Sequence, residues 1–333
     1  MKIRWKVIVG LIISFAFLLY ALTRVDYAEM IKAFSEANYI WTIPMAATVM
    51  FTMIIRAARW QWLMNPIRRI SFGSLFSSTM IGFMANNLLP ARVGEVVRAV
   101  SLSRRHTLSK SSVFATVVAE RVFDSLGLLF VFLVMIFIVD FPNELKKSAE
   151  VGLVLTIGLL IFLYLLKVKT LLAVQIITVP IAKVSEKLSE RTANILHKFA
   201  EGLSILTSPG PLIVIFFYSV FLWTFTAVSG YLIFIAFDLQ PVIWAPFIVL
   251  FVTALAVSLP SSPGYIGTFQ AACIIAFKII GELGMFPSPV SDSVALSFSV
   301  ILWSCQFIPV TLIGLIYLKK DHLRFKDIET IDS

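Results

Sequence analysis

The chain has 333 residues, of which 59% are hydrophobic and only 14% are charged. A soluble domain carries about 25% charged residues, so the composition excludes a soluble globular protein and predicts an all-α polytopic membrane protein. The net charge of +9 does not indicate nucleic acid as a partner, because lysine and arginine collect in the cytoplasmic loops of membrane proteins.

The chain begins with an apolar segment at residues 7–22, which follows Lys2, Arg4 and Lys6. No small-residue cleavage site follows this segment, so we interpret it as an uncleaved first span. The preceding basic residues place the N-terminus in the cytoplasm, and the mildly acidic loop at residues 24–38 suits the outside.

Residues 40–55 are predicted to return as the second span, which ends at Arg56 and Arg59. The simplest interpretation makes these two arginines anchors whose long side chains reach the membrane interface. The alternative is that they attract an anionic lipid headgroup.

An apolar segment at residues 72–89 has basic clusters on both sides, and both flanks are therefore cytoplasmic. A segment that enters and returns satisfies this charge pattern, whereas a full crossing does not. Pro90 is predicted to break the helix, because proline lacks the N–H and its ring interrupts the helical turn. Residues 92–102 would be the return arm of this re-entrant hairpin.

The next elements follow from alternating apolar and basic segments. Residues 113–139 are predicted to cross outward and residues 151–166 to cross back. Residues 171–207 carry apolar positions at helical spacing among charges, which predicts one amphipathic helix on the cytoplasmic face. Residues 212–237 cross outward again.

A second break lies at residues 260–264, where Leu-Pro-x-x-x-Gly repeats the spacing of residues 89–94. Residues 244–259 and 265–280 would form a second re-entrant hairpin, entering from outside, and residues 294–318 the last span. The prediction is one membrane domain (1–333) of about six full transmembrane helices and two hairpins. Its halves, 1–139 and 151–318, would form an inverted-topology repeat, a common plan in secondary transporters.

Charged residues near the first break are the strongest candidates for a binding site. Arg92, Glu95 and Arg98 share one helical face, and the two guanidiniums could clamp a phosphate. The alternative is that they are solvated cytoplasmic charges. Charges within a membrane usually face a cavity and have partners. Asn86 and Asn87 precede them in the same turn.

Glu120, Arg121 and Asp124 lie early in the third predicted span. They could couple protons or a headgroup to transport. Alternatively, Arg121 or Arg92 forms an internal ion pair with one of the carboxylates.

The second break predicts a helix N-terminus inside the membrane, with Ser262 as the N-cap and Pro263 at the first position. Such an end presents backbone N–H groups to an anion. The predicted anion site comprises Ser261, Ser262, Gly264, Gly267 and Gln270. The alternative is a simple kink satisfied by neighbouring helices.

Nothing in the sequence indicates a metal, a cofactor or a catalytic centre. The histidines are scattered, Cys273 and Cys305 lie in apolar segments, and no nucleotide loop or nucleophile motif is present. We therefore expect no enzyme activity, no cofactor and no ATP-driven step in this chain.

Three ordered segments carry a family resemblance: residues 87–95 (NLLPARVGE), 120–124 (ERVFD) and 260–267 (PSSPGYIG). The chain resembles the lysylphosphatidylglycerol synthase transmembrane-region family, also called flippase-like or UPF0104. In fused members, this membrane unit precedes a domain that aminoacylates phosphatidylglycerol, and the membrane unit moves the product between leaflets. The chain ends at Ser333 without that domain, so the resemblance implies lipid handling and not aminoacyl transfer.

The resulting expectation is a lipid flippase of the cytoplasmic membrane, with both termini inside. Its partner would be the headgroup of an anionic or zwitterionic phospholipid or of a lipid-linked phosphate. The alternatives are a membrane-embedded transferase acting on a lipid phosphate and a non-transporting scaffold for a lipid-synthesis enzyme.

Overall fold

The computed structural model describes residues 2–89, 92–258 and 261–321, with side chains from residue 12 onward. These residues form thirteen α-helices and three short 3-10 helices, and they contain no strand. The α-helices are α1 (Lys2–Leu22), α2 (Tyr27–Glu36), α3 (Thr42–Met64), α4 (Phe72–Leu88), α5 (Gly94–His106), α6 (Lys110–Ile136), α7 (Asn143–Val168), α8 (Thr170–Ala182), α9 (Glu186–Gly202), α10 (Pro209–Ala236), α11 (Ala245–Ser258), α12 (Thr268–Glu282) and α13 (Asp292–Lys320).

Five segments among the described residues are long and apolar enough to cross a membrane. They are Tyr39–Met64, Asn143–Val168, Pro209–Ala236, Pro263–Glu282 and Asp292–Lys320. Helix α6 is equally long, with 27 residues, but carries Glu120, Arg121 and Asp124 in its middle. The all-α, polytopic membrane architecture predicted from composition is confirmed.

Helix α2 was missed by the sequence prediction, which treats residues 24–38 as a loop. The Asp26 carboxylate accepts hydrogen bonds from the N–H groups of Ala28 and Glu29, which satisfies the free donors at the start of the helix. Helix α2 then packs against α13. The Asp26 cap is a sequence signal that the charge-based assignment of this loop overlooked.

The single amphipathic helix predicted at residues 171–207 is wrong. The chain forms two helices there, α8 and α9, which pack against each other. Ser185 separates them, and its hydroxyl accepts the N–H of Leu188 to begin α9. Helix α9 also packs on α6, where the backbone of Gly202 lies so close to Ser112 that a side chain would not fit.

The two predicted hairpins correspond to two closely packed helix pairs, α4 with α5 and α11 with α12. Pro90 and Pro260, the predicted breaks, lie outside the described residues. In the first pair, a Cβ added at Gly82 would lie 2.7 Å from the Arg98 Cβ and 2.9 Å from the Gly94 carbonyl oxygen. Small residues allow this close approach of two helix backbones.

Helix α13 holds the first pair against the rest of the molecule. It packs extensively on α4, where Gly314 leaves room for Met80 and Met84. Helix α4 also contacts the 3-10 helix Pro263–Tyr265, which lies between α11 and α12, so the first pair meets the segment that joins the second. The two cysteines, Cys273 and Cys305, are buried free thiols.

Candidate functional site

Seven charged side chains from three helices form a buried network, which we call the ionic cluster. Helix α3 contributes Arg56 and Arg59, helix α5 contributes Glu95 and Arg98, and helix α6 contributes Glu120, Arg121 and Asp124. Four guanidiniums against three carboxylates leave this cluster with one excess positive charge. Such charges inside a membrane protein are costly, and they usually face the protein interior and mark functional sites.

Arg59 is the centre of the ionic cluster and is 0% exposed. Its Nη1 lies 2.6 Å from Asp124 Oδ1, and its Nη2 lies 2.9 Å from Glu120 Oε1. The same Nη1 lies 2.6 Å from the hydroxyl of Ser219 on α10, to which it donates. One guanidinium therefore joins α3 to both α6 and α10.

Arg56 lies one turn earlier on α3, with its Nη1 3.2 Å from Asp124 Oδ2. The rings of Phe83 and Trp223 lie within 5.1 and 5.7 Å of its guanidinium carbon, close enough for cation–π attraction. The prediction that Arg56 and Arg59 are interfacial anchors is wrong. Both lie inside helix α3, which continues for more than one turn to Met64, and both are buried.

Arg98 occupies the other side of Glu120. Its Nη1 lies 2.9 Å from Glu120 Oε2, although without the angles of a hydrogen bond, and its guanidinium carbon lies 3.7 Å from the centre of the Trp60 ring. The Trp60 indole N–H donates to Thr116 on α6. The predicted shared face of Arg92, Glu95 and Arg98 is wrong, because Arg98 points into this packed layer while Arg92 precedes the helix.

Arg121 and Glu95 form the edge of the ionic cluster that faces open space. Arg121 Nε lies 3.3 Å from Glu95 Oε1, and Arg121 Nη1 lies 3.3 Å from Asp124 Oδ2. This is the internal ion pair that the sequence left as an alternative for Arg121. The positive charges that balance Glu120 and Asp124 come mainly from Arg56, Arg59 and Arg98, and not from Arg92.

A cavity of about 700 Å³ adjoins the ionic cluster. Its charged end contains five side chains of the α3–α6 region, namely Arg56, Arg92, Glu95, Arg121 and Asp124. The walls away from these charges are apolar and include Val49, Leu128, Phe132, Phe251 and Phe298. Ligand pockets of this size usually combine apolar walls with a few polar groups that orient the ligand.

Arg92 lies at the junction of the two helix pairs. It adopts a left-handed backbone conformation with a φ of 54°, which is uncommon for a residue other than glycine. Such strained residues cluster at functional sites. Its exposed side chain donates from Nη2 to the carbonyl of Val257 near the end of α11, at 2.5 Å. Two asparagine side chains hold the neighbouring backbone in place. The Asn86 side-chain oxygen accepts the N–H of Gly94, and the Asn87 side-chain amide donates to the Thr311 hydroxyl.

The predicted helix N-terminus at Ser262 is wrong. Ser262 precedes only the three-residue 3-10 helix Pro263–Tyr265, makes no side-chain cap, and donates its hydroxyl to the Ile266 carbonyl. Helix α12 begins later, at Thr268, after Gly267.

The start of α12 is not a free anion site. Gln270 accepts the N–H of Gly267 at 2.7 Å, and the Gly267 backbone packs directly on Ser14 and Leu18 of α1. Of the five residues predicted here, Gly264 lines the cavity, whereas Ser261, Ser262, Gly267 and Gln270 do not. Gly264 has a φ of 67°, and its carbonyl accepts the indole N–H of Trp303.

Several guanidinium nitrogens at this site have no hydrogen-bond partner among the described residues. They include the buried Nε atoms of Arg56 and Arg121, although Arg121 Nε lies 3.3 Å from Glu95 Oε1 in an ion pair. Both residues also line the cavity. A guanidinium beside a cavity is well suited to an oxygen-rich anion there.

Ser219 and Trp223 on α10 are the parts of the site that sequence reasoning missed. The Trp223 indole N–H donates to the Asp124 carbonyl, and Ser219 contacts Arg59. Both lie in an apolar segment, where a single serine or tryptophan does not indicate a binding site. The three-residue spacing of Arg56 and Arg59 was a usable signal, because it places both guanidiniums on one face of α3.

The fold and the site define an all-α, polytopic membrane protein with a charged cavity between packed helices. The chain belongs to the family described as "Lysylphosphatidylglycerol synthase TM region", which matches residues 7–314. The family resemblance carried by the three sequence segments is thereby confirmed.

Several archaeal proteins are similar to the chain. A UPF0104 membrane protein of Methanothermobacter thermautotrophicus is 23% identical over 86% of this chain and 87% of its own length. The UPF0104 membrane protein MJ1078 of Methanocaldococcus jannaschii is 26% identical over 66% of this chain and 90% of its own length. Glycosyltransferase AglD of Haloferax volcanii is 27% identical over 37% of this chain but only 20% of its own length. No solved structure shows significant similarity.

Proposed function

We propose that this protein is a lipid transporter that moves a phospholipid or a lipid-linked phosphate between the leaflets of the cytoplasmic membrane. The observation that carries the proposal is the cavity, which joins a buried charged end to apolar walls. A lipid has the same division, with a polar headgroup on a hydrocarbon body. The family and the similarity to a protein named a glycosyltransferase support a role in lipid metabolism.

The charge balance supports a phosphate-containing headgroup. With Arg92, the site holds five guanidiniums against three carboxylates, which leaves two positive charges. Guanidinium groups bind phosphate well because their planar donors match two phosphate oxygens. A net-anionic lipid would neutralise the site, and a zwitterionic one would place its cation near Glu95.

The meeting of the two helix pairs supports a transport cycle. Arg92 from the first turn contacts Val257 near the second, so motion of one pair against the other would change access to the cavity. The proposed inverted repeat would provide that motion by rocking of the halves, with both termini in the cytoplasm. The reaction would need no enzyme activity, cofactor or catalytic residue, and its partner would be the lipid headgroup.

A transferase acting on a lipid phosphate is less well supported by the geometry. Glu95, Glu120 and Asp124 each lie within 3.3 Å of a guanidinium nitrogen, so each carboxylate is committed to an ion pair. A general base needs a carboxylate that can reach the proton of a substrate.

The Arg92→Ala variant is expected to slow lipid movement by roughly 10- to 100-fold, the effect of losing one charged hydrogen bond to the headgroup of about 1.5–3 kcal/mol. The assay measures dithionite-accessible fluorescent phosphatidylglycerol in vesicles reconstituted with the purified protein. Arg92→Lys is expected to fall between the parent and Arg92→Ala, because it keeps the charge but loses the planar fork.

The control is Arg191→Ala, which removes an exposed arginine from α9 and should move lipid at the parental rate. Folded Arg92→Ala and Glu95→Ala variants with parental rates would contradict the assigned site. A parent protein that moves no more lipid than empty vesicles would contradict transport itself.

A further inference from the structure

Helices α7, α10 and α11 enclose one part of the cavity without closing it. All three contribute lining residues, yet α7 packs mainly on α6 and makes no extensive contact with α10 or α11. The cavity therefore extends into the space between α7 on one side and the α10–α11 pair on the other. We call this part of the cavity the lateral slot.

The α7 wall of the lateral slot is a single helical face. Ser148, Gly152 and Thr156 line it at intervals of four residues, so they stand above one another along the helix. The opposite wall contains Thr226 and Gly230, also four residues apart, on α10. Small side chains on both walls keep the space between them open.

The hydroxyl groups in these walls already donate their protons within the protein, so they have none left to donate to a ligand. Ser148 donates to Glu144, Thr156 donates to Gly152, and Thr226 donates to Leu222, in each case to a carbonyl of its own helix. A hydroxyl that bonds to its own helix presents mainly carbon to the space beside it. The slot is therefore suited to a hydrocarbon chain and poorly suited to a polar solute.

The outer surface around the slot is apolar and exposed. On α7, Val151 and Leu155 are exposed beside the slot face, and on the other side Leu255 of α11 is exposed. In a membrane protein such surfaces contact lipid, so the slot opens towards hydrocarbon and not towards water. Its inner end reaches Arg56 and Arg121 of the ionic cluster.

We propose that the lateral slot holds the hydrocarbon chain of a bound lipid while its phosphate lies at the ionic cluster. This inference rests on the proposed lipid function and adds the place where the chain leaves the protein. The lipid would then enter and leave sideways, between α7 and α10, and its tails would stay within the membrane. The bound molecule is thus a membrane lipid and not a water-soluble phosphate ester.

The Gly152→Trp variant tests the slot. A Cβ at Gly152 would meet only Leu129 at 3.6 Å, an ordinary contact, so the helix tolerates a side chain there while the indole fills the slot. Gly158→Trp is the matched control, because Gly158 lies on the same helix, is exposed, and has open space around it. Ser148→Trp, at an exposed position one turn earlier on the slot face, is a second blocking variant.

Native mass spectrometry of the purified protein measures retained dioleoyl-phosphatidylglycerol, with dihexanoyl-phosphatidylglycerol as the short-chain probe. We expect both blocking variants to retain the long-chain lipid at least about tenfold less than Gly158→Trp, a difference of roughly 1.4 kcal/mol. Retention of the short-chain lipid, which shares the headgroup, should change much less. Both blocking variants should also slow leaflet exchange.

Equal retention of the long-chain lipid by the blocking variants and Gly158→Trp would contradict the proposal that the lateral slot holds the hydrocarbon chain. An equal loss of both probes would also overturn it, because the tryptophan would then be acting on the headgroup site. If the parent retains lipid through the slot but moves none between leaflets, the transport proposal is contradicted and the lateral-slot proposal is supported. If Gly152→Trp and Ser148→Trp exchange lipid between leaflets at the parental rate while Arg92→Ala does not, the lateral-slot proposal is contradicted and the transport proposal is supported.

Discussion

Replacing Arg59 by alanine is expected to destabilise the protein by about 3–5 kcal/mol, the usual cost of breaking a buried ion pair on one side. Arg59 is 0% exposed and binds both Asp124 and Glu120, so its removal leaves two buried carboxylates with incomplete compensation. Folded proteins are stable by only about 5–15 kcal/mol, so this loss is a large share of the total. Thermal unfolding in detergent and the yield of monodisperse protein measure the effect.

Two comparison variants make this prediction specific. Arg92→Ala removes an exposed arginine beside the same cavity and should unfold near the parental temperature. The double variant Arg59→Ala with Asp124→Asn should be less destabilised than the sum of the two single variants, since contacting residues couple by about 0.5–3 kcal/mol. An Arg59→Ala protein as stable as the parent would show that the ionic cluster does not hold α3, α6 and α10 together.

The ionic cluster is not a general argument for stability, because apolar residues of similar volume often serve as well as buried ion pairs. Its presence in this protein is better explained by function. The cluster keeps Arg56 and Arg121 in place beside the cavity, where their guanidiniums could contact a phosphate. Arg59 and Arg98 would then act as positioning residues, since they hold the carboxylates that orient the cavity-lining guanidiniums.

The Gly94→Leu variant is expected to destabilise the protein by about 3 kcal/mol, the upper end of the range for overpacking. A side chain at Gly94 would overlap the Gly82 carbonyl oxygen and the Asn86 amide, and the backbone oxygen cannot move aside as a flexible side chain can. Separation of α4 from α5 would also displace Glu95 and Arg98, which follow on the same helix. Thermal unfolding and the leaflet assay should therefore both report a loss.

Gly158→Leu is the matched control for this substitution. Nothing lies within 4 Å of a Cβ at Gly158, and leucine favours a helix over glycine by close to the ~0.8–1 kcal/mol by which alanine does. This variant should be as stable as the parent or slightly more stable. Equal unfolding temperatures for Gly94→Leu and Gly158→Leu would show that the close contact between α4 and α5 is not required.

Local sequence patterns predicted most of the helices but missed features that depend on capping. Span lengths follow from runs of apolar residues, which is why α10 and α13 lie within three residues of their predicted positions, whereas α7 begins eight residues earlier than predicted. The division of residues 171–207 into two helices depends on the Ser185 cap, and helix α2 depends on the Asp26 cap. Ser185 carries no charge, and Asp26 was counted only as a charge, so neither was recognised as a cap.

Composition, apolar length and short motifs are enough to predict a polytopic helical membrane protein of a lipid-associated family, with charges near Arg92 and Glu120 that are unusual for a membrane. Which of those charges meet depends on helix packing. The packing puts Arg59 rather than Arg92 between the carboxylates and turns Arg98 away from the cavity. The physical reason is that the partners lie about sixty residues apart in the chain, and helix packing alone selects one pairing from many that the same charges would allow.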